Sequence, residues 1–284
     1  MKFIRIAYKF VSRCGIFSLA LILVSIITLT YAFNMQTSTK PMLGIVYWYT
    51  NDDTLTITSE LERMKADGFQ IVCVPFVWDD NPQSPSRVQT DVLFNKASQL
   101  GLKVYVRQPS SSEALTSYLT VYGNQVAYMQ VINEADTIFM KEWAVPSELT
   151  ATAQTNAETT KNANPNIKTV ASFSTALFPS LVASIAEHAD IIALDIYEQV
   201  QVDTFPIQMQ TLLTLSGKNT IWIGEFGYAT LNDQQQAEFI QKGLNLFKTN
   251  GVETVIIWGW NTNNGLNIKG RQAETVIKTW EAQG

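Results

Sequence analysis

"VAYMQVINEAD" (126–136) begins with seven residues of which only Gln130 is strongly polar, then turns to an amide and a carboxylate at Asn133 and Glu134. A strand with one wet face alternates polar and apolar side chains. A nearly unbroken apolar run marks a strand covered on both faces, the condition of a parallel sheet packed under helices. The fold class is therefore α/β, and the polar pair that ends the run needs an explanation other than burial.

Outward from this strand the same grammar repeats. Before it come "MLGIVYW" (42–48), "QIVCVPFVW" (70–78) and "LKVYVRQ" (102–108); after it come "IKTVASFS" (167–174), "DIIALDIY" (190–197), "TIWIGEFG" (220–227) and "ETVIIWGW" (253–260). Amphipathic stretches between them predict helices near 55–67, 89–100, 111–121, 147–163, 176–188, 205–215, 232–249 and 270–281. "KADGFQ", "QLGLK" and "TNGVET" put Gly where an amphipathic stretch stops before a strand, and "PSEL" and "LNDQQ" have the form of helix starts. Eight such units in about 245 residues match a closed (β/α)8 TIM barrel, with an open doubly wound sheet as the competing arrangement. No Gly-rich phosphate loop follows the first strand.

The start of the chain is of another kind. Lys2, Arg5, Lys9 and Arg13 precede nineteen uncharged residues, Gly15 to Phe33, enough to span a bilayer as a helix. A cleaved signal peptide, for which Thr30 and Ala32 offer small residues near a cleavage point, has a shorter apolar core of roughly 7–15 residues. An uncleaved anchor is the favoured reading, and the positive-inside rule then sends everything after it outward. The expected organisation is a basic segment and transmembrane or signal helix at 1–35, a polar linker at 36–41, and the barrel at 42–284. On either reading the barrel lies outside the cytoplasm, anchored to the membrane or secreted.

Composition narrows the function. With 284 residues, 46% of them hydrophobic, one large core forms without disulfides, and Cys14 and Cys73 offer no framework of bridges. Net charge is −5 and no Lys/Arg cluster lies beyond residue 13, so nucleic acid is not an expected partner. The single histidine, His188, falls where a helix ends before the sixth strand; that placement argues against a Ser-His-Asp triad and against zinc. A monomer with no cofactor and no metal is expected.

In a barrel of this type the chemistry sits at the C-terminal ends of the strands. Those ends carry Trp48, Trp78, Arg107 and Gln108, Asn133 and Glu134, Ser172 and Ser174, Asp195 and Tyr197, Glu225, and Trp258 and Trp260. Glu134 and Glu225, three strands apart, approach from opposite sides of one mouth. Two carboxyls in different environments suit glycoside cleavage, where one protonates the leaving oxygen while the other meets the anomeric carbon. Indole faces suit the C–H face of a pyranose. A salt bridge from Arg107 to Glu134 is the bland alternative for that acid, and core coverage the bland alternative for Trp48, Trp78 and Trp260.

"INEAD" after the fourth strand, "GEFG" after the seventh and "WGW" after the eighth resemble the clan A glycoside hydrolases, the retaining (β/α)8 group that includes the family five cellulases and mannanases. The resemblance implies Glu134 as general acid/base, Glu225 as nucleophile, Asn133 on the sugar 2-hydroxyl, Tyr197 against the nucleophile and Trp258 under the bound sugar. Trp48, Trp260 and Arg107 complete the candidate sugar-binding set. Family five enzymes usually carry an arginine late in the second strand and histidines near the third and sixth; this chain has "VCVPF", "VYVRQ" and "LDIY" there. Arg107 is the residue able to take the arginine's place. A retaining hydrolase of β-linked poly- or oligosaccharides is thus expected. A non-catalytic sugar-binding barrel is the first alternative, and a lyase- or isomerase-type metabolic barrel the second.

Overall fold

The computed structural model describes residues 39–262 and 265–283. The expected N-terminal anchor or signal helix (1–35) and the first half of the linker (36–38) lie outside the described residues. Among those described, no helix is long and apolar enough to cross a membrane. From Lys40 onward the chain forms one compact unit.

Eight strands alternate with helices: β1 (Met42–Val46), β2 (Ile71–Val74), β3 (Lys103–Val106), β4 (Val126–Ile132), β5 (Lys168–Phe173), β6 (Ile191–Ile196), β7 (Trp222–Phe226) and β8 (Thr254–Ile257). They close into a parallel barrel in chain order, with β8 returning to β1 through Met42↔Thr254 to Ile45↔Ile257. The open-sheet alternative is excluded by that closure.

Side-chain alternation sorts each strand into two cores. Val46, Ile71, Cys73, Tyr105, Tyr128, Val170, Ala193, Trp222 and Ile256 fill the barrel interior. Residues of the other parity, such as Ile45, Val72, Val104 and Leu194, pack against the helices. Both sets are apolar, which is why the strands read as nearly unbroken runs.

The helices are α1 (Thr54–Ala66), α2 (Pro85–Leu100), α3 (Ser112–Tyr122), α4 (Ala135–Met140), α5 (Pro146–Ala163), α6 (Pro179–Ala186), α7 (Gln199–Ser216), α8 (Asp233–Thr249) and α9 (Gln272–Ala282). Asp53, Ser84, Ser111 and Asn232 accept the backbone N–H three residues on and so start α1, α2, α3 and α8; each such cap is worth about 1 kcal/mol. Gly101, at φ 64°, ends α2 in a left-handed turn where a Cβ meets no atom within 4 Å.

Two helices depart furthest from expectation, while α2 starts four residues early and α6 is shorter at both ends. α7 begins six residues before the predicted 205 because Pro206, which reads as a helix opener, lies inside it; Gln201 Oε1 accepts the N–H groups of Tyr197 and Glu198 at the true start. α4 has no counterpart in the sequence reading. Its six residues are too few to show a period, and its buried Asp136 accepts the Ser174 and Thr175 N–H groups at 2.8 and 2.7 Å.

Candidate active site

Two register slips aim the functional side chains. In β4 the pairing jumps from Gln130↔Val170 to Ile132↔Ala171, leaving Val131 as an extra residue. Val131 and Ile132 then both face the helices, and Asn133 turns to the mouth. In β7 the pairing jumps from Leu194↔Ile223 to Asp195↔Glu225, leaving Gly224 unpaired. Trp222 faces the interior, so without this bulge Glu225 would face the helices. Glycine is required there: a Cβ on residue 224 would lie 2.6 Å from Asp195 Oδ1 and 2.9 Å from Ala193 Cβ.

Glu225 is almost sealed from solvent. Its two oxygens are held separately, Oε1 by the Arg107 guanidinium and Oε2 by the Tyr197 hydroxyl. Burial pushes the carboxyl up from its ordinary range, while Arg107 and Tyr197 pull it back. Burial works against the Arg107 charge, but the facing Glu225 outweighs it and keeps the guanidinium protonated. Burial, with Glu225 and Asp195 beside it, raises the Tyr197 phenol, which therefore stays a donor.

Glu134 is only part-buried and makes different contacts. Its backbone sits in the left-handed region at φ 41°, ψ 53°, a conformation that costs a non-glycine residue about 1–3 kcal/mol and persists where surrounding contacts enforce it. Ser172 Oγ accepts the Glu134 N–H at 3.0 Å, and Ser174 Oγ donates to Glu134 Oε1 at 2.8 Å. Arg107 thus pairs with Glu225 and not with Glu134, which removes the bland ion-pair reading of Glu134.

Asn133 is fixed on three sides. Its N–H donates to Gln108 Oε1 at 2.7 Å, and its Oδ1 accepts from Gln130 Nε2 at 2.7 Å and from Arg107 Nη2 at 3.3 Å. Trp258 lies under the Arg107 guanidinium, 4.6 Å from ring centroid to Cζ, with the Tyr197 ring 6.3 Å away and the Trp48 ring 6.1 Å away, both edge-on. Both indoles are part-exposed. Trp260 does not belong to this group. It is fully buried in the barrel–helix layer, its indole N–H donates to Glu60, and Phe69 and Arg63 cover its ring. Its assignment as a sugar-binding residue is corrected: it closes the core between β8 and α1.

One oxygen each from Glu134, Asp195 and Glu225 lies within 4.8 Å of the others. Asp195 ends β6, and nothing in its local sequence ranks it above any other strand-end polar residue. Ser172, Ser174, Gln108 and Gln130 were equally without a role in the sequence reading; their contribution depends on the two bulges, whose only trace is a glycine in "GEFG". Chemically, the cluster offers an anion held by two donors, a second acid open to solvent, and an aromatic floor.

No protein-family model matches the chain, and no curated protein matches it. Solved structures with a similar fold include a β-galactosidase from Marinomonas ef1 (11% identity, 85% of this chain, 59% of that one, TM-score 0.65). An endo-1,4-β-D-mannanase from Thermotoga petrophila aligns over 86% of this chain and its whole length (10% identity, TM-score 0.63). A GH30 endoxylanase from Clostridium papyrosolvens aligns over 87% and 74% (14% identity, TM-score 0.62). At these identities the likeness establishes a shared barrel fold. The chain spans little more than half the length of the β-galactosidase.

Proposed function

We propose that the chain is a retaining glycoside hydrolase that cleaves β-linked poly- or oligosaccharides, of glucan or mannan type, by double displacement. The observation that carries the reading is the convergence of Glu134 and Glu225 from β4 and β7, with carboxylate oxygens within 4.8 Å of each other. Retaining enzymes hold their two carboxyl groups about 5–5.5 Å apart, whereas inverting ones leave roughly 6.5–9.5 Å for a water.

The environments divide the roles. Glu225, held by Arg107 and Tyr197, is the nucleophile; the part-exposed Glu134 exchanges its proton. In the first step a Glu225 oxygen bonds to the anomeric carbon as the glycosidic C–O bond breaks, and Glu134 gives its proton to the leaving oxygen. In the second, water gives a proton to Glu134 and its oxygen to the anomeric carbon, releasing Glu225. Asn133 is placed to meet the 2-hydroxyl, and Trp258 with Trp48 to meet a pyranose face. Arg107 and Tyr197 weigh against a purely sugar-binding barrel, since they give the nucleophile the donors that an inactive site would lack. From the basic and apolar start of the chain we also propose that the domain works outside the cytoplasm.

The test is hydrolysis of β-glucans, mannans and aryl β-glycosides, joined to trapping with an activated fluorosugar. Wild type should turn over at least one substrate and carry the trapped sugar on Glu225. Glu134→Gln should lose about 10²- to 10⁴-fold on substrates with poor leaving groups, and Glu225→Gln should take up no label. Sugar binding by wild type without turnover or label would replace the hydrolase reading by the binding one.

A further inference from the structure

Beneath the two glutamates, Asp195 is the best-sealed carboxyl of the site. It is fully buried, and neither oxygen has a hydrogen-bond partner of ordinary geometry among the described residues. The nearby Ser172 hydroxyl accepts the Glu134 N–H at 3.0 Å and reaches Asn133 Oδ1 only at 3.5 Å; it pulls the Asp195 carboxyl down, against the larger effect of burial. The Gly224 bulge leaves room for Oδ1 where any side chain would collide with it. A buried acid with no partner, in a space kept open for it and beside two further acids, requires a physical account.

We propose that Asp195 is a proton-holding third acid of this site: it stays a neutral carboxylic acid beneath Glu134 and Glu225, and by staying neutral lets Glu225 exist as the anion. The role given to Glu225 rests on the hydrolase reading; the protonation of Asp195 does not.

Charge counting carries the argument. Three carboxyls with oxygens within 4.8 Å of one another, if all ionised, face a single close cation, Arg107. Like charges this near in a medium of low polarity do not all ionise. Arg107 compensates the carboxylate it touches, Glu225. Glu134 is part-exposed and has a donor in Ser174. Asp195 is fully buried and its oxygens meet no donor in hydrogen-bond geometry among the described residues, so the permanent proton falls to it. The other titratable groups around it do not alter the count. β2 contributes Cys73, whose thiol burial pushes up to about 12. β3 contributes Tyr105 and Arg107, β6 Tyr197, and β5 only Ser172; Tyr105 and Tyr197 are both raised, chiefly by burial. Burial first, then Glu225 and Glu134, raises the Asp195 carboxyl well above its ordinary range.

Neutral Asp195 keeps the site balanced through the reaction. Before attack the close charges are Arg107 positive and Glu225 negative. After it, Glu225 is an ester, Glu134 has lost its proton, and Arg107 faces one negative charge as before. An ionised Asp195 would add a charge at both stages and draw a proton onto the nucleophile.

Infrared spectroscopy of the full chain labelled with carboxyl-¹³C aspartate tests this without reference to turnover. At pH 7 the labelled protein should show the C=O stretch of a protonated aspartic acid, present in wild type and in Asp136→Asn and absent in Asp195→Asn. For activity, Asp195→Asn should lose no more than about tenfold in kcat/KM, the cost of an imperfect amide in a tight space. The acidic limb of its pH profile should stay where it is. A missing band, or one that survives Asp195→Asn, overturns the proposal. So does an acidic limb moved down by about one pH unit or more, the mark of a removed negative charge. If no substrate is found, the infrared result still decides the proton on Asp195, and the hydrolase reading fails separately.

Discussion

Arg107 joins three parts of the site. Its guanidinium pairs with Glu225, reaches Asn133 and lies over the Trp258 ring. Replacing it by methionine keeps the length and removes the charge. Glu225 would then be a buried carboxylate without its counter-ion, a loss of about 3–5 kcal/mol in folding stability at neutral pH. It would also take up a proton more readily. On the hydrolase proposal, the Arg107→Met protein should therefore need a higher pH to ionise Glu225, moving the acidic limb of kcat/KM upward; an unmoved limb with reduced stability would confine Arg107 to a structural role. At this scale the sequence is legible where chemistry contradicts burial. Asn133, Glu134 and Glu225 stand out because each is polar at the end of an apolar strand. Asp195 has the same appearance in "DIIALDIY", and nothing local says that its oxygens meet no donor. Trp260 misleads for the opposite reason: an indole two residues after Trp258 reads as a second platform, yet the chain turns it into the helix layer.

Among elements, the strands were readable because burial on two faces leaves a continuous apolar record, and helix ends were readable where a capping side chain or left-handed glycine marks them. Bulges leave almost no record, and they decide which residues face the mouth. The join between α1 and α9 has a clear energetic signature. Glu274 accepts from Arg63 Nη2 at 2.6 Å and from the Gly270 N–H at 2.6 Å, and pairs with Lys278 at 3.0 Å. Burial alone would raise this carboxyl, but Arg63, Gly270 and Lys278 hold it down at about 2. A depressed acid adds stability that is fully present above its unfolded value of about 4.3 and is lost as pH falls towards about 2. Glu274→Gln should thus cost about 1–3 kcal/mol at pH 7, and its denaturation midpoint should fall less steeply than wild type between those two pH values. Parallel curves for the two proteins would mean that the charge of Glu274 contributes nothing.

At the scale of the molecule, the eight-unit count followed from periodicity and length, which favour a closed ring over an open doubly wound sheet without excluding it. Closure itself, β8 on β1, is a long-range contact without a local signal. A second long-range contact lies at the opposite face from the mouth. Lys40, just before β1, pairs with Glu281 near the end of α9 at 2.9 Å, and its ammonium also reaches the Glu281 carbonyl. The two ends of the folded unit are thus clasped together, so a closed ring of eight units can be opened at a different turn without separating neighbouring strands. A circular permutant follows: residues 283 and 40 bridged by a short Gly/Ser segment, and new termini opened before Asn219, in the exposed turn between α7 and β7. It should melt within a few degrees of the parent and still take the fluorosugar on Glu225. Such a reordered chain would place both of its ends on the floor beneath α7, leaving the rim that carries Glu134 and Glu225 free when the ends are attached to a solid support.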